Sequence, residues 1–231
     1  MPPLFCEEGE ELEKALHRLT EWRHRVGSIL YMSLTWNTEN RFGGGAHTDI
    51  GLKNDGKRLL EYLCEHQIAV DLSHTSDRLA YELLNEIDKR NYQIPVIASH
   101  SNARAVCNAP RNLPDDLIKE IVRRKGLIGM NFVRFFLGSE KETAHNFTRH
   151  FEHFCTLGAL SHLCFGADFF NDEDLSPAYR KPPGATFFPA YDNASTYSNV
   201  LNQWRQQGGV SEDALLGVCY GNARKFIESL T

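Results

Sequence analysis

The sequence predicts an α/β fold in which parallel strands alternate with helices. Short apolar runs alternate regularly with longer amphipathic segments along the whole chain. Several of the short runs are apolar on both faces, which is typical of strands in a sheet that helices cover on each side. Strands separated by helices pair in parallel, because the chain must cross over before it returns to the sheet.

Six short apolar runs are predicted to be strands: Leu4–Glu7, Ser28–Leu34, Ile68–Leu72, Val96–Ser99, Gly126–Phe132 and His162–Gly166. A barrel of the TIM type needs eight strands and about 250 residues, whereas this chain has 231. We therefore predict a TIM-like (β/α) barrel that lacks its first one or two β/α units, with residues 1–231 forming one partial domain. The C-terminal stretch is helical in pattern, so the missing units are expected before residue 1.

Amphipathic segments with helical periodicity fill the intervals between the strands. The predicted helices are Glu10–Arg25, Gly56–His66, Asp77–Arg90, Pro114–Arg124, Lys141–Leu157, Asn193–Gln207, Glu212–Val218 and Asn222–Leu230. The helix that begins at Pro114 carries a proline and two acids in its first turn, which suits the helix dipole. Two long loops, 40–51 and 171–196, are expected to be functional, as long loops on an α/β scaffold often are.

Composition restricts the classes of partner. The formal net charge of −5 argues against nucleic acid, which usually requires a basic face. No apolar run approaches the roughly 18 residues of a membrane span, and the N-terminus has neither a basic region nor a signal-like core. We expect a cytoplasmic protein, unless an N-terminal extension carries a signal. The six cysteines form no CxxC pair and are predicted to be reduced thiols.

Polar residues of the metal-binding or acid–base type follow three predicted strands. His74, His100 and Asp168 each come shortly after an apolar run, and the carboxyl ends of parallel strands face the ligand site in such folds. Imidazole and carboxylate groups suit zinc. A single histidine at a strand end is more often a hydrogen-bonded structural residue, but two with an aspartate favour a metal site. Asp71 is predicted to support this site, not to bind the metal.

Six ordered segments resemble the membrane (renal) dipeptidase family, peptidase family M19, in its bacterial-type branch. They are Cys6–Gly9, Leu34–Asn37 with Glu39–Asn40 and Gly43–Gly45, Asp71–His74, Ser99–Ser101, Arg111–Asp116 and Phe165–Phe169. Their order and spacing are similar to those of the family along nearly the whole chain. The resemblance implies a zinc-dependent dipeptidase on a TIM-like barrel, with two zinc ions in a complete site and a dipeptide as substrate.

The resemblance also implies a role for each matching residue. His74 and His100 would bind the second zinc, and Glu8, which directly precedes a glycine, would bridge both metal ions. Asp168 would pass a proton from the attacking water to the leaving amine. Arg111 would hold the C-terminal carboxylate of the substrate with its planar fork, although a surface helix-cap role is the alternative for this residue.

The chain departs from the family in two places. The remaining zinc ligands of the family come from an N-terminal His-x-Asp, which this chain lacks, and His47-Thr48-Asp49 has that spacing in a predicted loop instead of a strand. Trp36 stands where animal members carry a substrate-binding histidine, and a tryptophan ring can only donate a hydrogen bond. Trp36 is therefore expected to shape the substrate pocket.

Three functional hypotheses stay open. The first is a zinc-dependent dipeptidase that hydrolyses dipeptides through a metal-activated water. The second is a truncated or degenerate family member that binds at most one metal ion well, lacks peptidase activity and acts as a binding or scaffold protein. A homodimer is one way for such a chain to cover the strand edges that an incomplete barrel exposes. The third is an amide hydrolase that acts on a non-peptide substrate.

Overall fold

The computed structural model describes residues 5–7, 9–138, 143–171, 173, 186–188 and 191–230. The chain forms two compact units, one ending at Ile97 and the other beginning at Ala98. Each unit alternates strands and helices, and the strands of each unit pair in parallel. The predicted α/β class with a parallel sheet is therefore confirmed. The described residues contain no helix that is long and apolar enough to cross a membrane.

The first unit has three helices and three strands, the last of which ends one residue past the unit boundary. In chain order they are α1 (Leu12–Val26), β1 (Tyr31–Ser33), α2 (Asn54–Glu65), β2 (Ala69–Asp71), α3 (Asp77–Arg90) and β3 (Val96–Ala98). Strand β2 is central, with Val70 opposite Met32 of β1 on one side and opposite Val96 of β3 on the other. The three strands lie within the predicted ranges, and α3 has the predicted bounds.

The second unit contains two strands and a larger set of helices. They are α4 (Asp115–Arg123), β4 (Leu127–Met130), α5 (Arg134–Leu137), α6 (Thr143–Thr156), β5 (Leu163–Phe165), α7 (Tyr197–Gln207), α8 (Glu212–Leu216) and α9 (Asn222–Glu228). Gly129 of β4 lies opposite Cys164 of β5. Helix α5 was not predicted. One π-helical turn, Gly217–Gly221, joins α8 to α9.

One predicted strand, Leu4–Glu7, is wrong. Phe5, Cys6 and Glu7 form turn and coil, and Leu4 lies outside the described residues. The apolar side chains of Phe5 and Cys6 are buried as the pattern implied. However, the Phe5 carbonyl accepts a hydrogen bond from the guanidinium of Arg18 at 2.8 Å, so a side chain takes the place of a neighbouring strand.

Helix α3 shows how the local sequence sets an element that starts close to the predicted site. Its N-cap is Ser76, whose hydroxyl oxygen accepts a hydrogen bond from the Leu79 N–H. Leu79, Leu83 and Ile87 recur at a spacing of four residues and are buried, and burial of each such side chain stabilises the fold by about 1.5–3 kcal/mol. The cap fixes the start of α3 at Asp77, three residues after His74.

Aromatic rings form the core of the second unit beside the end of β4. Phe151 stacks on Trp204 with ring centroids 3.9 Å apart, and Phe147 stacks on the same indole at 5.8 Å. Phe132, two residues after β4, contacts Phe147 at a centroid distance of 4.4 Å. These contacts anchor the segment that follows β4 against α6 and α7.

Two glycines allow backbones to approach closely within the second unit. A Cβ atom at Gly129 would lie 1.9 Å from the carbonyl oxygen of Ser99, and one at Gly166 would lie 2.1 Å from the same oxygen. Both distances are far inside van der Waals contact, so only glycine fits at these positions. The two glycines therefore allow the backbone of β4 and the backbone just after β5 to lie against Ser99, the residue that precedes His100.

Candidate metal and catalytic site

The carboxylate of Asp71 fixes the turn that carries His74. Asp71 ends β2 and is fully buried. Its Oδ2 accepts a hydrogen bond from the Ser33 hydroxyl at 2.7 Å, and its Oδ1 accepts one from the Ser73 N–H at 2.9 Å. The side chain thus joins β2 to β1 and holds the residue before His74, as a supporting residue would.

The imidazole of His74 is oriented by the loop that follows β1. Its Nδ1 lies 2.9 Å from the Oδ1 of Asn37, and its ring centroid lies 6.0 Å from that of Trp36. An amide oxygen only accepts hydrogen bonds, so Nδ1 is the protonated nitrogen. The lone pair of the neutral ring then lies on Nε2, which is the arrangement of a histidine prepared for a metal ion.

His100 has a comparable contact in the second unit. It follows β3 by two residues, and its Nδ1 lies 2.7 Å from the hydroxyl oxygen of Ser99. Its backbone carbonyl accepts a hydrogen bond from the Nδ2 of Asn131 at 3.4 Å. His100 is half-buried. Its two contacts show that neighbouring polar groups hold both the ring and the backbone of this residue.

Asp168 is exposed at the end of the segment that leaves β5. Its Oδ2 accepts a hydrogen bond from the Nδ2 of Asn131 at 3.3 Å. Asn131 is fully buried and follows β4 directly. The carboxylate of Asp168 is therefore held on one side by a buried amide while the residue itself stays accessible to a ligand.

His74 and Asp168 share an uncommon backbone conformation. Five non-glycine residues among those described have left-handed φ values, and three of them, Gln67, Asn91 and Lys125, follow the ends of α2, α3 and α4. At a helix end this conformation is an ordinary cap. His74 (φ 69°) and Asp168 (φ 62°) instead follow strands. A left-handed residue of this kind costs about 1–2 kcal/mol, and such strain concentrates at functional sites.

Arg111 lies in the loop that leads to α4. It is 4% exposed, and its Cζ lies 5.3 Å from the centre of the Phe136 ring. The next residue, Asn112, donates from Nδ2 to the carbonyl oxygen of Phe136 at 2.9 Å. The alternative of a surface helix-cap residue is wrong, because Arg111 is buried and α4 begins at Asp115.

Two other predicted positions need separate mention. Glu8 lies outside the described residues, and its predicted role as a metal ligand stays a prediction. His47 and Asp49 are exposed in a turn region, as expected for a loop. Within the described ranges, no three His, Cys, Asp or Glu side chains cluster to hold a metal ion.

The cysteines behave as structural thiols. All six lie within the described part of the chain and are free. Burial raises the pKa of the Cys164 thiol to about 12 and that of Cys155 to about 11. Both thiols are therefore protonated at neutral pH, which gives neither the character of a nucleophile.

A family profile decides the ancestry of the chain. The profile of the membrane dipeptidase family (peptidase family M19) matches residues 4–230. The chain belongs to this family. Four proposed site residues lie in the segments whose sequence resembles that of the membrane dipeptidase family: His74, His100, Arg111 and Asp168.

Relatives of known sequence and structure agree with this assignment. An uncharacterized protein from the PQQ-III 3′ region of Acinetobacter calcoaceticus is 33% identical over 113 residues, covering 46% of this chain and 34% of the relative. An uncharacterized dipeptidase of Schizosaccharomyces pombe is 28% identical over 148 residues, covering 61% of this chain and 35% of the relative. The chain thus spans about a third of the length of these two curated relatives.

A solved structure confirms the fold. A metallopeptidase from Rhodobacter sphaeroides, crystallised with a phosphinate mimic of the dipeptide L-Ala-D-Ala, superposes with a TM-score of 0.76 at 23% sequence identity. The superposition covers 94% of this chain and 60% of the other. The predicted α/β fold of the TIM-like barrel type is therefore confirmed.

Two asparagines in contact with the site residues were missed as site residues in the sequence. Asn37 lies inside one of the family-like segments, and Asn131 directly follows β4. The signal that pointed to His74 and Asp168, a polar residue after a parallel strand, applies equally to Asn131. An amide is neither a preferred zinc ligand nor a general acid, so the pattern that points to zinc chemistry does not single out these residues.

Proposed function

We propose that this chain carries the active-site residues of a metal-dependent dipeptidase. The observation that carries the proposal is the left-handed backbone of His74 and Asp168, the positions where the family has a metal ligand and a proton-transferring aspartate. Both residues follow strands, where no helix cap accounts for the conformation. Membership in the membrane dipeptidase family supports a functional interpretation of this shared strain.

His74 and His100 are the proposed metal ligands, with zinc as the expected ion. The chemistry of these donors fits a divalent metal, because a protein oxygen lies within hydrogen-bond distance of Nδ1 in each ring and Nε2 of a neutral imidazole binds zinc well. Glu8 is a further proposed ligand from the sequence pattern. When bound, the metal supplies a water that is acidic near neutral pH and polarises a carbonyl oxygen.

Asp168 and Arg111 are proposed to act on the substrate. Asp168 takes a proton from the attacking water as the C–O bond forms, and it delivers that proton to the amine nitrogen as the C–N bond breaks. Because Oδ2 is held by Asn131, Oδ1 is the oxygen proposed to carry the proton. Arg111 binds the substrate carboxylate, and its cation–π contact with Phe136 orients the guanidinium plane. Trp36 is proposed to line the substrate pocket.

The test combines metal analysis of the purified chain with an assay of a small dipeptide panel. The panel includes L-Ala-D-Ala, because a phosphinate mimic of that dipeptide was bound by the Rhodobacter sphaeroides metallopeptidase. We expect bound zinc, turnover, and a loss of turnover in Asp168→Ala. A zinc-free chain without turnover would overturn the proposal and favour the non-catalytic binding protein.

Arg111→Lys distinguishes peptidase activity from a related amide hydrolase activity. Lysine keeps the positive charge but loses the two-pronged contact. We expect KM to rise at least about tenfold for a dipeptide with a free carboxylate, and to change little for the same dipeptide as its C-terminal amide. Equal effects on both substrates would show that Arg111 does not recognise the carboxylate.

A further inference from the structure

We infer that Asn131 is the positioning residue of Asp168, holding the carboxylate in place through its side-chain amide. The inference rests on the proposed function, because it gives Asn131 a role through the proposed catalytic aspartate. Its physical basis is the hydrogen bond from Nδ2 of Asn131 to Oδ2 of Asp168 at 3.3 Å. Asn131 is fully buried, whereas Asp168 is exposed. The bond therefore ties an accessible group to a rigid one.

The amide of Asn131 is locked by its other contacts. Its Oδ1 accepts a hydrogen bond from the Val133 N–H at 2.6 Å, which fixes which end of the amide is oxygen. Its Nδ2 is therefore the donor, and that group also donates to the carbonyl oxygen of His100 at 3.4 Å. One side chain thus contacts the backbone of a proposed metal ligand and the carboxylate of the proposed catalytic residue.

A second asparagine fixes the backbone of Asn131. The Asn131 N–H donates to Oδ1 of Asn102 at 3.0 Å, and the Asn131 carbonyl accepts from Nδ2 of Asn102 at 2.9 Å. Asn102 is itself fully buried. The side-chain amide of Asn102 thus satisfies both backbone groups of the residue that follows β4. The donor aimed at Asp168 is therefore preorganised.

The left-handed backbone of Asp168 explains why such a support is needed. A non-glycine residue at φ 62° is strained, and the surrounding structure must hold it in that conformation. The hydrogen bond from Asn131 supplies a contact that only the correctly placed carboxylate can make. Without it, we expect the exposed carboxylate to sample other orientations and to transfer protons less efficiently.

Asn131→Asp tests the donor while it keeps the shape and the acceptor for the Val133 N–H. It places a second carboxylate beside Asp168, so we expect kcat to fall about 10- to 100-fold, the usual cost of losing a supporting contact, with KM within about twofold. The matched control is Asn222→Asp. The Nδ2 of Asn222 likewise donates to two oxygen atoms, here the carbonyl oxygens of Leu160 and Leu163, at the opposite end of β5. We expect this control to keep the wild-type kcat.

The exchanged pair, Asn131→Asp together with Asp168→Asn, tests the contact without any activity. It reverses donor and acceptor, so the hydrogen bond can form again although residue 168 can no longer carry a proton. We expect the denaturation midpoint, lowered in Asn131→Asp, to recover by at least half in the exchanged pair. Additive losses of stability would overturn the inference.

A spectroscopic measurement separates this inference from the proposed function. The side-chain amide resonance of Asn131, assigned by its absence in Asn131→Asp, should shift in Asp168→Asn and stay in place in the surface variant Asp213→Asn. An unshifted resonance would refute the contact. A chain that hydrolyses no dipeptide but shows the shift would refute the proposed function alone and leave the positioning contact established.

Discussion

The Nδ1 atom of His74 lies 2.9 Å from the amide oxygen of Asn37, in the loop that follows the neighbouring strand β1. The relationship between Asn131 and Asp168 in the second unit is similar, since there too an asparagine beyond one strand contacts the side chain at the end of the next. In both pairs the contacted residue has a left-handed backbone. Amides thus support the strained residues of the proposed site in each unit.

Replacing Asn37 should change the affinity for metal in a direction that depends on the replacement. Asn37→Ala removes the oxygen that accepts the His74 Nδ1–H, so we expect zinc affinity to fall about 10- to 100-fold. Asn37→Asp keeps an acceptor and should retain or tighten binding. Competition with a chromophoric chelator measures both. Equal affinities for the alanine variant and the wild type would show that the contact does not orient a metal ligand.

Two replacements of Asp168 should separate backbone strain from chemistry. Asp168→Gly and Asp168→Ala both remove the carboxylate, so neither should retain turnover. Glycine accepts φ 62° without strain, whereas alanine does not, so the glycine variant should be more stable by about 1 kcal/mol. Chemical denaturation of the two variants measures the difference. Equal stabilities would mean that residue 168 relaxes to an ordinary backbone conformation.

Periodicity predicts best the elements whose bounds are determined by their own local sequence. Helix α3 has a serine cap, regularly spaced leucines and a left-handed Asn91 at its end, and all three signals are local. Strands β1 to β5 are each shorter than the predicted ranges, by one to four residues. Their central residues alone pair with a neighbour, and the position where pairing stops depends on contacts with other segments.

The wrong predictions also arise from contacts between segments that are distant in the sequence. The segment 4–7 is apolar enough for a strand, but the Arg18 guanidinium binds the carbonyl of Phe5, a contact 13 residues away that no local pattern reveals. Among the site residues, the positions of His74 and Asp168 after strands were predictable, and their left-handed conformation was not. The supporting roles of Asn37 and Asn131 depend on their hydrogen-bond contacts with His74 and Asp168, which only the three-dimensional structure shows.

A methyl group at Gly129 should destabilise the second unit strongly. The Cβ atom of Gly129→Ala would lie 1.9 Å from the Ser99 carbonyl oxygen, and neither backbone can move without disturbing the strand pair. We expect the free energy of unfolding to fall by about 3 kcal/mol, at the upper end of overpacking effects. Gly221→Ala is the control, because its Cβ atom would meet nothing closer than 3.5 Å. A Gly129 variant as stable as this control would contradict the close approach.

His150 should make the stability of the protein depend on pH. Its Nδ1 accepts a hydrogen bond from the Ala103 N–H at 3.2 Å, so its Nε2–H is the donor to the carbonyl oxygen of Leu137, also at 3.2 Å. These contacts require the neutral ring. Burial, with smaller contributions from Arg149 and His153, lowers the pKa of His150 from 6.5 to about 4.

Because the folded pKa of His150 lies below its unfolded value, protonation favours the unfolded chain. The contribution of the neutral His150 ring to the free energy of unfolding is complete above pH 6.5. It declines as the pH falls from 6.5 to about 4, and no further loss occurs below that pH. The loss amounts to about 3 kcal/mol over this window. Urea denaturation at several pH values should show a shallower decline in His150→Gln than in the wild type. The control His17→Gln removes an exposed histidine and should follow the wild-type curve. If the curve of His150→Gln ran parallel to that of the wild type, the burial of a neutral His150 ring would be contradicted.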